Sequence, residues 1–319
     1  MTTSTDNRAL SMLQSALGPI RKYFDDPEVV EIYVNSDQHL WIEWQSRGRV
    51  RTDILISEEN ARKIIEMVAS FSNTIANKDK PIISAELPFY GYRFEGSLQP
   101  VSLHSSFNIR KPAIKLYSLD DYVRSGIMTA GQQDILLKGI KAKKNILVVG
   151  GTGSGKTTLT NALLAEIALI GDRLILLEDT RELSCKADDC EAFRTQDNVT
   201  MTDLVKSAMR RRPDRIIVGE VRDKAALDLL KAWNTGHPGG ICTIHANSAS
   251  DGLLRLEQLI QEIIPTPQQK LIGEAVDIII YISRTTSVKN GRTVAGRKVR
   301  ELCYCNGYRD GNYLLDYID

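Results

Sequence analysis

Val148-Val149-Gly150-Gly151-Thr152-Gly153-Ser154-Gly155-Lys156-Thr157-Thr158 decides how this 319-residue chain is read. The stretch fits G-x-x-x-x-G-K-[ST] without a mismatch, with Gly150 and Gly155 as the outer glycines and Lys156-Thr157 behind them. The apolar run Ile146 to Val149 predicts a buried strand, and Leu159, Ala162, Leu163 and Ile167 give one apolar face to the helix that follows. A glycine turn before an ordinary helix explains the glycines alone, but not the strand, the spacing and the Lys-Thr pair together. Glycines at 150, 151, 153 and 155 let successive backbone N–H groups turn inward on a triphosphate, and the helix N-terminus adds its partial positive charge. Gly151, Thr152, Gly153, Ser154, Gly155, Lys156, Thr157 and Thr158 are therefore expected to bind ATP, with Lys156 reaching the β- and γ-phosphates and Thr157 ligating Mg²⁺.

Outward from this stretch, 319 residues exceed the usual size of one domain, so two cores are expected. A hydrophobic content of 42% and a formal net charge of +1 argue against attraction of the whole surface to nucleic acid or anionic lipid. No window approaches a membrane-spanning apolar run, and the first residues lack a charged n-region with an apolar core, so a cytoplasmic protein is expected. Cysteines at 185, 190, 242, 303 and 305 include no C-x-x-C pair, which supports reduced thiols rather than a zinc ribbon or a disulfide framework.

N-terminal to the glycine loop the pattern is mixed. A short helix over 8 to 17 precedes strands near 29 to 34, 39 to 44 and 49 to 55, with Ser46-Arg47-Gly48 turning the chain. Ser57 reads as an N-cap, with Ala61, Ile64, Ile65, Val68 and Phe71 on one helix face. Short strands follow around 82 to 86, 92 to 98 and 105 to 110. This is an α+β domain over 1–115, and the polar stretch 116–130 reads as a linker with one helical turn. Strands and helices then alternate over 131–319, as expected for a mainly parallel sheet with flanking helices, and the tail from 294 to 318 adds one or two antiparallel strands around Asn306-Gly307-Tyr308 and Asp310-Gly311-Asn312.

Three further segments accompany the loop. The strand 173–177 runs into Glu178-Asp179-Thr180-Arg181-Glu182, which puts carboxylates beyond the C-terminal end of a parallel strand, where ligands sit in open α/β sheets. Glu182 is expected in the Mg²⁺ and water shell. Arg215-Ile216-Ile217-Val218-Gly219-Glu220 is an apolar strand ending in a carboxylate, and Glu220 is expected as the general base or water-orienting group. Gly240-Ile-Cys-Thr-Ile-His245 ends another strand on a histidine within expected reach of the γ-phosphate. The run Arg210-Arg-Arg-Pro-Asp-Arg215 concentrates four arginines in six residues and fits nucleic-acid binding, phosphate stabilisation or pairing across a subunit boundary.

With these segments in order, the chain resembles the secretion (traffic) ATPases of type IV secretion systems, a branch of the RecA-like P-loop superfamily. Gly150 to Thr157 matches Walker A, Leu177 to Glu182 the Asp box, Arg212 to Arg222 Walker B, and Thr235 to Asn247 the His box. The resemblance implies an α/β fold, a RecA-like P-loop NTPase domain preceded by the smaller α+β domain. It also implies Mg²⁺-dependent ATP hydrolysis by a homo-hexamer, with Arg93 and Arg110 touching phosphates and Lys156, Glu182, Glu220 and His245 completing the catalytic set. Other inner-membrane and cytoplasmic ATPase components of a secretion or conjugation apparatus are the implied partners, with the ring peripheral at the inner membrane. Type II secretion relatives often carry a tetracysteine zinc insert, a spacing this chain lacks. A pilus or type II secretion motor and a RecA-like DNA-translocating helicase remain the alternatives at this point.

Overall fold

A computed structural model describes residues 4–45, 47–112, 117–196, 198–289 and 292–318. Ser46, in the expected first-domain turn, and residue 116 of the expected linker lie outside them. The chain divides into two compact units, Met1–Ile114 and Lys115–Asp319.

In the first unit α1 (Ser4–Ala16) leads through a 3-10 turn into β1 (Val29–Val34), β2 (His39–Trp44) and β3 (Gly48–Leu55), then α2 (Glu58–Phe71), β4 (Ile82–Leu87), β5 (Tyr92–Ser97) and β6 (Ser106–Arg110). The strands form one antiparallel sheet in the order β3-β2-β1-β6-β5-β4. Alternation decides its faces: Ile32, Ile42, Phe94, Phe107 and Ile109 point to the core with Ile64, Ile65 and Val68 of α2. Ser57 caps α2 by accepting from the Asn60 amide.

The second unit carries α3 (Leu119–Arg124), α4 (Ala130–Lys141), β7 (Ile146–Val149), α5 (Lys156–Ala168), β8 (Leu174–Glu178), β9 (Cys190–Arg194), α6 (Met201–Ala208), β10 (Arg215–Val218), α7 (Ala225–Asn234), β11 (Ile241–Ile244), α8 (Ala249–Gln261), α9 (Gln269–Ala275), β12 (Ile278–Lys289), β13 (Arg292–Arg309) and β14 (Asn312–Tyr317). The sheet order is β14-β13-β12-β7-β11-β10-β8-β9, parallel from β12 to β9 and antiparallel through β13 and β14. The strands β7, β8, β10 and β11 are buried along their whole length, as a parallel sheet covered on both faces requires.

Several elements differ from the sequence reading for identifiable reasons. The stretch 116–130 contributes α3, capped reciprocally by Ser118 and Asp121, and Leu119, Tyr122 and Met128 are buried in the core of the second unit. Four residues on α5 were expected to face the core, but Thr160, Asn161 and Leu164 are buried too, because α3 and α4 pack against the helix from outside. β9 escapes the periodicity argument, since Cys190-Glu-Ala-Phe-Arg194 is an edge strand without a fully buried residue. Asn306-Gly307-Tyr308 lies inside β13, where the register with β14 slips between Cys305 and Tyr308 around Gly307 at φ 108°, a bulge rather than a turn.

One side chain ties the centre of this sheet together. Asn145, 4% exposed, accepts from the Gly239 and Gly240 amides at 2.7 and 3.0 Å and donates to the Ala275 carbonyl at 2.7 Å. It therefore satisfies backbone groups leading into β11 and ending α9 just before β7 begins. Asn145→Ala leaves those groups buried and unsatisfied, and is expected to cost on the order of 3 kcal/mol. Urea denaturation checks this, and an unchanged midpoint would contradict the assignment.

Candidate active site

The sheet order brings four sequence-distant segments to neighbouring places. β7, β11, β10 and β8 are consecutive and parallel, so the chain segments that follow them leave the same edge of the sheet. These segments carry the glycine loop, His245, Glu220 and the 178–182 acids.

After β7 the loop turns through Gly153 at φ 65° and Gly155 at φ 102°, backbone conformations that a side chain would strain, and Lys156 begins α5. Lys156 is 7% exposed and donates to the Gly150 and Gly151 carbonyls at 2.9 and 3.1 Å. Its Nζ also stands 3.3 Å from both ring nitrogens of His245. Ser154 is buried with its hydroxyl unpartnered among the described residues. An orphaned donor there, beside a loop with two positive-φ glycines at a helix N-terminus, fits a polyphosphate. Gly151, Thr152 and Thr158 complete the loop, with Thr152 exposed.

Thr157 and Glu182 come together, the hydroxyl donating to the Glu182 carboxylate at 3.3 Å. Hard oxygen donors side by side at the mouth of this loop fit Mg²⁺. The position of Glu182 is set by two groups that sequence reasoning did not single out for that purpose. Glu178, 3% exposed, accepts from the Glu182 and Leu183 amides at 2.9 and 2.8 Å. Asn161 of α5 donates to the Glu182 carbonyl at 3.3 Å and accepts from the Ser184 amide at 2.8 Å. The acids of this segment are thus sorted: Glu178 holds the backbone, Asp179 accepts from Thr195, and Glu182 faces Thr157. What separates Glu178 from Asp179 is burial, which is not readable from a run of acidic residues.

Glu220 lies between Arg222, which donates to its Oε2 at 2.8 Å, and His245, whose Nε2 is 3.1 Å from its Oε1. Burial pushes the Glu220 carboxyl up, but the hydrogen bond and charge of Arg222, with His245 and Lys156, outweigh it and hold the group below its usual value. Glu220 is therefore ionised at neutral pH. For His245, burial pushes the imidazole down; Glu220 pulls it up, and the charges of Lys156 and Arg222 push down again, leaving it below its ordinary 6.5. His245 is thus neutral at pH 7 and its contact with Glu220 is a hydrogen bond rather than an ion pair.

Arg93 and Arg110 belong to the first unit, where they are directly opposed on β5 and β6. Glu86 faces Arg93 on one side and Glu31 faces Arg110 on the other, so the two arginines stand side by side between two glutamates on the face away from Phe94 and Ile109. The arginine run 210–215 does not act as a unit. Arg215 is 1% exposed and bonds Asp172 and the Gly239 and Ile140 carbonyls, while Arg211 pairs with Glu191 and stacks over Phe193. His237 lies apart from the loop, 3.4 Å from the Pro213 carbonyl.

Residues 14–309 match the family described as type II/IV secretion system protein. The chain belongs to that family. Within it the chain is 47% identical over 313 residues to the conjugal transfer protein TrbB of Rhizobium radiobacter, a match covering 97% of this chain and 94% of the relative. It is 29% identical to the type IV secretion system protein VirB11 of Bartonella quintana, over 80% of this chain and 83% of that one. Among solved structures, the pilus retraction motor PilT with bound ADP superposes with a TM-score of 0.61 at 20% identity, covering 90% of this chain and 82% of that one, a likeness of fold.

The depressed His245 predicts a pH effect with a definite sign. The unfolded chain binds this proton more readily than the folded one near pH 6.5, so stability present above that value is lost as pH falls through it. His245→Gln should flatten this acid-side slope of the denaturation midpoint, the other histidines cancelling in the comparison. Parallel slopes for the two proteins would contradict the assignment.

Proposed function

We propose that the chain is a Mg²⁺-dependent ATPase with a RecA-like core, assembled as a homo-hexamer that powers type IV secretion or conjugal DNA transfer from the cytoplasmic face of the inner membrane. The observation that carries this reading is the convergence of Lys156, the Thr157–Glu182 pair and the Glu220–His245 pair at the ends of four consecutive parallel strands. The 47% identity to a conjugal transfer protein over nearly the whole chain supports conjugation over pilus retraction. The arginine run, one of two features behind the helicase alternative, supports it less, because Arg215 is a buried anchor and Arg211 pairs locally with Glu191.

Each residue has a role that follows from its surroundings. Gly151 to Gly155 present backbone amides to the phosphates, Ser154 adds its unpartnered hydroxyl, and Lys156 exchanges its carbonyl contacts for phosphate oxygens. Thr157 and Glu182 would hold Mg²⁺, which when bound neutralises phosphate charge. Glu220, ionised and held between Arg222 and His245, orients water and accepts its proton. His245, neutral and beside both Lys156 and Glu220, links the state of the lysine to that of the base. Arg93 and Arg110 are proposed as further phosphate-contacting residues, on the family resemblance and on their cross-strand adjacency. Among the described residues no helix is long and apolar enough to cross a membrane, which accords with peripheral attachment.

The reading is tested by phosphate release from purified protein with Mg²⁺ and ATP. Glu220→Gln should retain ATP binding and lose about 100-fold or more in turnover, whereas Lys156→Ala should lose binding as well. Turnover in Lys156→Ala equal to that of the wild type would end the proposal.

A further inference from the structure

Two arginines outside every motif above lie against the glycine loop. Arg284 and Arg297 sit directly opposite each other on β12 and β13. Arg284 donates its Nε–H to the Gly153 carbonyl at 2.9 Å across 131 residues of sequence. A Cβ at Gly153 would fall 2.0 Å from the Arg284 Nη2, and one at Gly155 would fall 2.8 Å from the Arg297 Cδ. The two guanidinium side chains therefore occupy the space that the glycines leave on the outer side of the loop. Gly153 and Gly155 are needed for their backbone angles and also for this close approach.

We propose that Arg284 is a positioning residue for nucleotide binding, fixing the Gly153–Ser154 peptide so that its amide is preorganised for phosphate, with Arg297 adding positive charge beside it. This rests on the nucleotide-binding reading of the loop. In a trans peptide the carbonyl and the N–H point in opposite directions, so a guanidinium that holds the Gly153 carbonyl outward directs the Ser154 N–H to the other side. That amide now closes a turn on the Gly151 carbonyl at 3.2 Å and belongs to the same buried residue whose hydroxyl has no partner. Fixing the peptide plane before the ligand arrives removes part of the ordering cost of binding.

The electrostatics point the same way. Like charges directly opposite on paired strands repel. Here the pair stands beside Gly155, the N-cap of α5, where the helix dipole is also positive, and neither arginine forms an ion pair among the described residues. Three positive elements at one place disfavour the empty loop, and a polyphosphate relieves them. Arginine suits the position because its planar fork bonds the carbonyl through Nε and lays Nη2 along the Gly153 backbone, an arrangement that an ammonium cannot reproduce.

The test uses the full chain and the fluorescence of ribose-labelled ATP and ADP, with thermal melting of the nucleotide-free protein measured in parallel. Arg284→Ala should weaken both nucleotides about tenfold, the loss of one charge-assisted hydrogen bond, with the melting temperature of the empty protein undiminished. KM for ATP should rise far more than kcat falls. Arg284→Lys should recover part of the affinity through its charge, and Arg284→Ala with Arg297→Ala should lose more than either alone. Wild-type affinity in Arg284→Ala, with Lys156→Ala still defective, would overturn this proposal and leave the ATPase reading standing. An affinity loss matched by a lowered melting temperature and not relieved by lysine would also overturn it, as a purely structural effect. A wild-type chain that binds neither nucleotide would bring down both readings.

Discussion

Parallel pairing of β7, β11, β10 and β8 is the constraint on which the site depends, because parallel strands deliver their C-terminal ends to one edge. Every strand in this group is buried along its length, the charged residues Arg215 and Glu178 standing only at strand ends and Thr243 being the one polar residue between, and each apolar run breaks off as it meets glycine or a polar group. The sheet can therefore bury its centre completely while placing charge only at its rim. Asn145 on the other edge closes the backbone groups that this arrangement would otherwise leave unsatisfied. Stability and chemistry are thus segregated to opposite ends of the same strands.

At the rim, charge is held by neutral or opposite partners in a graded way. Glu178 holds backbone amides, Glu220 is held between Arg222 and a neutral His245, and Glu182 meets the Thr157 hydroxyl. Lys156 meanwhile rests on the carbonyls of its own loop. These contacts order the side chains before nucleotide arrives, and in the proposed reading the Lys156 carbonyl contacts and the Thr157–Glu182 contact are the ones that a phosphate oxygen or a metal ion takes over.

The local part of this was legible in the sequence. Glycine spacing, the Lys-Thr pair and acids placed after apolar strands single out Lys156, Thr157, Glu182 and Glu220 as candidates, because the signal lies within a few residues of each. The longer-range part was not legible. Nothing in Glu178 itself distinguishes it from Asp179, and nothing in Arg284 announces a partner at Gly153. Those facts come from strand order and from β12 passing beside the loop. The separate place of Arg215 within the run 210–215 was illegible for the same reason, since its burial against Asp172 is set by β8, β10 and α4 meeting, not by its neighbours in sequence. The edge strand β9 and the bulge at Gly307 were missed because neither has a buried alternation to betray it.

The most direct test of the central claim is an experimental structure of the chain with Mg²⁺ and a non-hydrolysable ATP analogue. The account predicts phosphates enclosed by 150–157, the metal on the Thr157 hydroxyl with Glu182 in its shell, and the Glu220 carboxylate facing the γ-phosphate through one water. Nucleotide bound elsewhere, or a Glu220 turned away from the γ-phosphate with the metal held by other residues, would contradict it.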